Sequence, residues 1–370
     1  MHFTIKKETL LININNVSKA LSSKVQMPGL TGILFSVTKD CIKLTTSNND
    51  ISIQVNINKD YEVYEEGDFI VQGKYLLEIV KKLNSNEVEF SSFEENAIQL
   101  IAGKSVFNLN TLQLESFPKI AFDDSSINFS IDSINLKQII RKTSFAISPN
   151  ESRVVLTGVS LSTKDKTLEF VATDSFRLAR KQIVFENELP SIKIIIPGKS
   201  LDELNKILEE NEEKIEIHCN SSKILFKYQN ILFQSRLING VFPNIESLIP
   251  ERYLLSVKLC KEDLIQTLER VSIFVNNEIS NVIKMSINST IVEFSSSSNE
   301  IGGAKEEVTP LDITSNTNFE VSISSKYFLD ALRTFDSKDI VINFTGEIKP
   351  LTISGEYDRN LIQLILPLRA

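Results

Sequence analysis

In the stretch "VATDSFRLAR", residues 171–180, a carboxylate and a guanidinium stand three residues apart, at Asp174 and Arg177. An acid held beside a cation is raw material for general acid–base chemistry. Nothing else in the sequence completes a catalytic set. The only histidines are His2 and His218, and Cys41, Cys219 and Cys260 lie far apart without metal-ligand spacing. There is no glycine-rich phosphate loop and no nucleophile elbow. An isolated Asp-x-x-Arg is also the pattern of a turn cap beside a strand charge, since "LEFVAT" breaks at Asp174-Ser175 and resumes as the alternating "FRLAR". The residues therefore predict a non-catalytic protein with ordinary reduced thiols, no metal and no cofactor. Why this turn leads at once into Phe176 and Arg177 is left for the rest of the chain to explain.

The elements that position the turn come from repetition. At 370 residues, 42% of them apolar, the chain exceeds one ordinary core and suits two or three domains. No run approaches the roughly 18 apolar residues of a membrane span, and "MHFTIKKETL" lacks a signal-peptide core, so a soluble cytoplasmic protein with no membrane partner is expected. Three segments follow one plan: "GDFIVQGKYLLEIVKKLNSNEVEF", "SIKIIIPGKSLDELNKILEENEEKIEI" and "FEVSISSKYFLDALRTFDSKDIVINF". Each is a strand, a Gly or Ser with a Lys, an amphipathic helix and another strand. Lys74, Lys199 and Lys326 recur at intervals of 125 and 127 residues. "HFTIKKETL", "NFSIDSINL" and "SVKLCKEDL" align Leu10, Leu136 and Leu264, and "SFPKI" matches "VFPNI". Six helices are predicted, at 6–20, 74–83, 135–146, 199–213, 261–272 and 326–335, separated by short antiparallel strands. The predicted fold is α+β: three domains, 1–125, 126–253 and 254–370, each built from two β-α-β-β-β units.

Charge is distributed unevenly. The chain carries a net −8, yet the six predicted helices hold more Lys and Arg than Asp and Glu. Lys137, Arg141 and Lys142 cluster on one helix and Lys74, Lys81 and Lys82 on another. If equivalent domains place their helices on one side of a continuous sheet, these faces line a common positive surface.

Taken together, the three repeats, "VATDSFRLAR", "NGVFPNIESLIP" and the terminal "LILPLRA" resemble the bacterial DNA sliding clamps, the beta subunits of DNA polymerase III. The resemblance spans the whole chain, with Ala172, Thr173, Asp174, Arg177, Leu178 and Ala179 matching the family pattern and Ser175 replacing its usual Gly. It implies a processivity factor: a head-to-tail homodimeric ring whose helices line a hole threaded by double-stranded DNA. DNA contacts carry over to Lys24, Asn150 and Arg153, and Lys74 and Lys199 at helix starts, with Lys137, Arg141 and Lys142 of the positive cluster, are additional candidates for contact with DNA. The dimer interface carries over to Phe107 and Leu109 of one chain against Ile273 and Phe274 of the other. A partner cleft between the second and third domains carries over to Leu156, Thr173, Ser175, Phe176, Arg177, Leu178, Pro243, Leu248, Leu364, Leu366, Pro367, Leu368 and Arg369. There the replicative polymerase subunit, the clamp loader and repair proteins would insert short linear peptides.

The repeats act as internal controls on that cleft. The counterpart of "VATDSFRLAR" is "TTSNNDISIQ" in the first repeat and about "SSSSNEIGGA" in the third, so Phe176 and Arg177 are not demanded by the shared architecture. Their removal is expected to spare stability. The terminal Leu368 reads equally as a core plug or as binding surface. The competing function is a repeat-built scaffold that binds protein or carbohydrate and never encloses DNA.

Overall fold

The computed structural model describes residues 1–22, 27–275, 281–315 and 318–368, so Lys24 and Arg369 lie outside the described residues. Among the described residues there are six α-helices: α1 (Lys7–Val17), α2 (Gly73–Lys82), α3 (Ser133–Arg141), α4 (Gly198–Asn205), α5 (Lys261–Ser272) and α6 (Ser325–Leu332). Each follows one strand and precedes three, so β-α-β-β-β occurs six times in order. Two strands are additional, Tyr61–Glu65 and Asp312–Ile313, and each pairs with the opening strand of its own repeat. None of the described helices is long and apolar enough to cross a membrane.

The helix starts are placed as the periodicity predicts, but α4 is shorter than its predicted span of 199–213. It stops at Asn205, and Ile207 and Leu208 tuck inward before Glu209, Glu210, Glu212 and Glu213. Carboxylates at a helix C-terminus oppose the negative end of its dipole, so this run favours leaving the helix. The Gly that stands before Lys74 and Lys199 has a packing cause. A Cβ on Gly73 would sit 2.5 Å from Leu21 Cδ1, and one on Gly198 would sit 2.2 Å from Ile147 Cδ1.

The chain divides into two compact units, Met1–Leu136 with Lys199–Leu237, and Lys137–Gly198 with Ile238–Ala370. The first holds a thirteen-stranded sheet in which every pairing is antiparallel. Strand Ile51–Ile57 buries alternate residues, Ile51, Ile53, Val55 and Ile57, as a half-covered strand does. Helix α1 buries Leu10, Asn13, Ile14 and Val17, the 3-4 spacing of one face. Four phenylalanines fill the core beneath: Phe3 stacks on Phe90 at 4.9 Å and Phe35 on Phe69 at 4.6 Å between ring centres. The first and second repeats are zipped together where Ile231–Arg236 pairs with Ile51–Ile57, Phe233 opposite Ile53.

The second unit contains a nine-stranded and a four-stranded sheet. Here the second and third repeats join in the equivalent way: Arg177–Val184 pairs with Leu361–Ile365, Leu178 opposite Leu364 and Ala179 opposite Gln363. Helix α5 buries Leu264, Leu268 and Val271 and lies beside α6, which buries Phe328, Leu329 and Leu332. The strand pairing delivers Phe176 and Arg177 to the edge of the third repeat.

Candidate peptide-binding cleft

The opening turn is an Asx turn. Asp174 Oδ1 accepts the backbone N–H groups of Phe176 at 2.9 Å and Arg177 at 3.0 Å, and Thr173 Oγ1 donates to the Arg177 carbonyl at 2.6 Å. The loop is thus closed by its own side chains, and Phe176 is carried outward at 52% exposure. Ser175 takes φ +79°, a left-handed conformation that a residue with a Cβ adopts at a cost of about 1–2 kcal/mol. A glycine at this place would avoid that cost, while it would also free the unfolded chain. Ser175→Gly is therefore expected to stabilise the protein by up to about 1 kcal/mol, read as a higher melting temperature. A lower one would mean that the serine side chain contributes more than its strained backbone loses.

Beneath the turn lies an apolar floor. Leu156, Val171, Leu178, Ile195, Phe242, Ile245 and Leu364 form one buried cluster, with Val155, Ile238, Ile249 and Leu366 packed partly exposed against it. The structure thus brings together Leu156, Leu178, and Leu364 with Leu366, from three separate stretches of sequence. Pro243 and Leu248 are exposed next to the cluster residues Phe242, Ile245 and Ile249. The terminal segment is tied down by its backbone: Leu366 N–H donates to the Phe176 carbonyl at 2.9 Å and Leu368 N–H to the Ser322 carbonyl at 2.8 Å. Leu366, Pro367 and Leu368 are half-buried, so Leu368 is neither a full core plug nor a frayed end.

Arg177 is engaged within the protein. Its Nε donates to Asp174 Oδ2 at 3.0 Å, Nη1 to Asp330 Oδ2 at 2.7 Å and Nη2 to the Phe145 carbonyl at 2.8 Å. The guanidinium also lies 4.5 Å from the Tyr327 ring centre and 5.2 Å from that of Phe145. Burial, followed by the Asp174 carboxylate, pushes the Tyr327 phenol up from its ordinary pKa and keeps it neutral. Tyr327 in turn lies 6.5 Å from the Phe176 ring, nearly parallel to it. Arg177 therefore ties the turn to Phe145 and to α6. Tyr327, Asp330 and Phe145 were not legible as site residues: "GKYLLEIV" in the first repeat carries the same Lys-Tyr, yet there Tyr75 is exposed.

The remaining candidates occupy several environments. Lys74, Arg141, Asn150, Arg153 and Lys199 are exposed, and Lys137 is half-exposed on α3. Asn150 caps the 3-10 segment Glu151–Thr157, accepting from Ser152 N–H at 2.9 Å, and Arg153 sits at its kink. Lys142 is a correction to the sequence reading: it is 3% exposed and not on a phosphate-accessible face. Its Nζ lies 2.5 Å from Asp358 Oδ1 and 2.6 Å from Asp336 Oδ2, because α3 ends at Arg141 and the next residue turns inward. Phe107 and Leu109 are half-buried on the strand Ser105–Leu112, Ile273 is exposed just beyond α5, and Phe274 is half-buried beside it.

Comparison with known proteins identifies the family. Family models of the DNA polymerase III beta subunit match in order: the N-terminal domain over residues 1–121, the central domain over 130–244 and the C-terminal domain over 246–369. The Beta sliding clamp of Staphylococcus epidermidis is 37% identical, with 100% of this chain and 99% of that protein covered, and that of Staphylococcus aureus is 36% identical over the same shares. Among solved structures, the DNA polymerase sliding clamp of Bacillus subtilis superposes with a TM-score of 0.94 at 35% identity, covering 100% of this chain and 99% of that one. The DNA polymerase III beta chain of Streptococcus pneumoniae gives 0.95 at 30%, covering 100% of both. With all three domain models matched in sequence order and relatives aligned from end to end, the chain belongs to the bacterial DNA polymerase III beta subunits, the sliding clamps.

Proposed function

We propose that this chain acts as a processivity factor, a non-catalytic polymerase subunit that encircles duplex DNA as a head-to-tail homodimer in the cytoplasm. It tethers the replicative polymerase, the clamp loader and repair proteins through a peptide cleft. The observation that carries this reading is the sixfold β-α-β-β-β order with repeats joined strand to strand, since a chain built this way ends in unpaired edges that a second copy completes. Strand Ser105–Leu112 meets a second neighbour only at Thr111 and Leu112, which leaves Ser105–Asn110 with one free side among the described residues. Strand Gly302–Val308 ends the four-stranded sheet. Free antiparallel edges of this kind invite pairing with another chain, and Phe107 and Leu109 on one side with Ile273 and Phe274 on the other are the apolar contacts we assign to that junction.

The three domains run at 1–125, 126–253 and 254–370. DNA contact falls to Lys74, Lys137, Arg141, Asn150, Arg153 and Lys199. The cleft is formed by Leu156, Thr173, Ser175, Phe176, Leu178, Pro243, Leu248, Leu364, Leu366, Pro367 and Leu368, held in place by Arg177. Two apolar anchors buried there contribute about 3–6 kcal/mol, part of which is lost in ordering the peptide, so single-site affinity is modest.

Retention on DNA tests the ring. Once loaded, a topologically linked protein stays on closed circles at salt that strips ordinary phosphate binders, and it is lost by sliding when the circle is cut. Ile273→Ala with Phe274→Ala is expected to abolish that retention by opening the junction. Equal salt sensitivity on circular and linear DNA would instead favour the scaffold that never encloses DNA.

A further inference from the structure

The cleft has a counterpart within the first unit, built on the same backbone and lined with different chemistry. Asn48 Oδ1 accepts the N–H groups of Asp50 and Ile51, both at 2.9 Å, as Asp174 does for Phe176 and Arg177. Arg236 N–H donates to the Asp50 carbonyl at 2.8 Å, as Leu366 N–H does to that of Phe176. The strand register confirms the equivalence: Gln234 faces Ser52 where Leu364 faces Leu178. Four apolar residues of the cleft are thereby replaced by polar ones: Phe176 by Asp50, Leu178 by Ser52, Leu364 by Gln234 and Leu366 by Arg236. The floor is still apolar, with Leu30, Ile70 and Phe117 buried and Ile120 packed against them.

A groove of about 270 Å³ opens over this floor, bordered by Lys119, Lys223 and Arg236, with Asp50 the only carboxylate among its described lining residues. Ion pairs elsewhere in this unit join Lys6 to Asp60, Lys214 to Asp132 and Lys227 to Asp124, whereas Lys119, Lys223 and Arg236 enter none among the described residues. Lys223 and Arg236 are moreover direct cross-strand partners. Like charges opposed in a sheet repel and destabilise it. Two cations kept side by side with no described ion pair to either are poised for an anion from outside.

We propose that this groove is a second docking site, for an acidic peptide carrying one apolar side chain. The apolar side chain would rest over Leu30 and Ile120, beside the exposed Met27, while its carboxylates meet Lys119, Lys223 and Arg236. A single nucleic-acid strand is the poorer fit, because such strands are held by stacking on exposed aromatic rings and the groove lining contains none. The inference rests on the reading of the second unit's cleft as a peptide site, whose framework this groove repeats. Binding here would let one partner occupy both sites, or two partners share one chain.

The test uses the full-length protein saturated with an unlabelled, uncharged peptide for the cleft, and a fluorescein-labelled peptide of Asp and Glu residues around one Leu as probe. One probe molecule per chain is expected to bind, weakened about tenfold or more by Lys223→Glu with Arg236→Glu and unchanged by Lys166→Glu on the other unit. Lys223→Glu alone supplies a second readout. It replaces a cross-strand repulsion by an ion pair, so the melting temperature should rise while probe affinity falls. A probe that binds wild type and double variant equally, or fails to bind wild type, overturns the proposal. So does an oligonucleotide, (dT)10, that binds where the probe does not and is lost in the same variants. Failure of the uncharged peptide to bind would count against the cleft alone, because the probe reports on residues the cleft does not contain.

Discussion

Arg177→Ala is expected to abolish peptide binding and, against the expectation from the repeats, to cost the second unit about 3 kcal/mol of stability. The repeats show that the shared architecture does not need this arginine, since Ile51 holds its place in the first repeat. The second repeat has nevertheless built around it. Asp174 is only 6% exposed and pairs with the guanidinium, and Asp330 reaches it from α6. Truncation leaves Asp174 as a buried charge without its partner, and removing one member of such a pair costs about 3–5 kcal/mol. The lower end applies because Asp330 is 30% exposed and water compensates there.

Truncation after Ile365 separates binding from stability. It removes Leu366 and Leu368, with two backbone hydrogen bonds to Phe176 and Ser322, from positions that are only half-buried. About 1–2 kcal/mol is expected to go with them, while the wall of the cleft disappears altogether. Fluorescence anisotropy with a polymerase-derived peptide and thermal melting on the same samples decide the matter. Equal destabilisation by the two changes would make the tail a structural plug. Retained binding in both would place the peptide site elsewhere.

The second large effect concerns the buried charges around Lys142. Burial by itself would push the Asp358 carboxyl up. The Lys142 ammonium, the Ser337 hydroxyl and the N–H groups of Ser337 and Asp336 outweigh it and hold the pKa down at about 2. Because the folded value lies below the unfolded one, Asp358 contributes stability that is complete above the ordinary carboxylate range. That stability is lost as pH falls toward the folded value. From 3.8 to about 2, the contribution at neutral pH is about 2.5 kcal/mol and is halved near about pH 3. Asp358→Asn should therefore be destabilised against wild type by about that amount at pH 7 and pH 5, with the gap halved by about pH 3. Denaturant unfolding across this range reads the gap directly. A gap that stays constant with pH would assign the loss to the four accepted hydrogen bonds and not to the charge.

The sequence by itself determined what neighbouring residues in the chain decide. The 3-4 spacing of Leu10, Ile14 and Val17 selects the buried face of α1, and the alternation of Ile51, Ile53, Val55 and Ile57 selects that of a strand. Asp174 closes a turn whose donors lie two and three residues ahead. Such features repeat at intervals of about 126 residues, so the architecture and its family were legible, and so was the fact that Phe176 and Arg177 exceed what the architecture requires. Tertiary structure decided which side chains meet. Arg177 finds Asp330 153 positions away, and Lys142 finds Asp358 216 positions away. Tyr75 and Tyr327 share a local sequence, yet only Tyr327 is roofed by an arginine from another repeat. The Lys223 and Arg236 pair depends on strand register, which only the assembled sheet fixes. Local spacing sets the direction a side chain takes from its own element. Its partner is set by which elements pack together, and that depends on burying area and satisfying charge across the whole unit, so a window of sequence does not contain it.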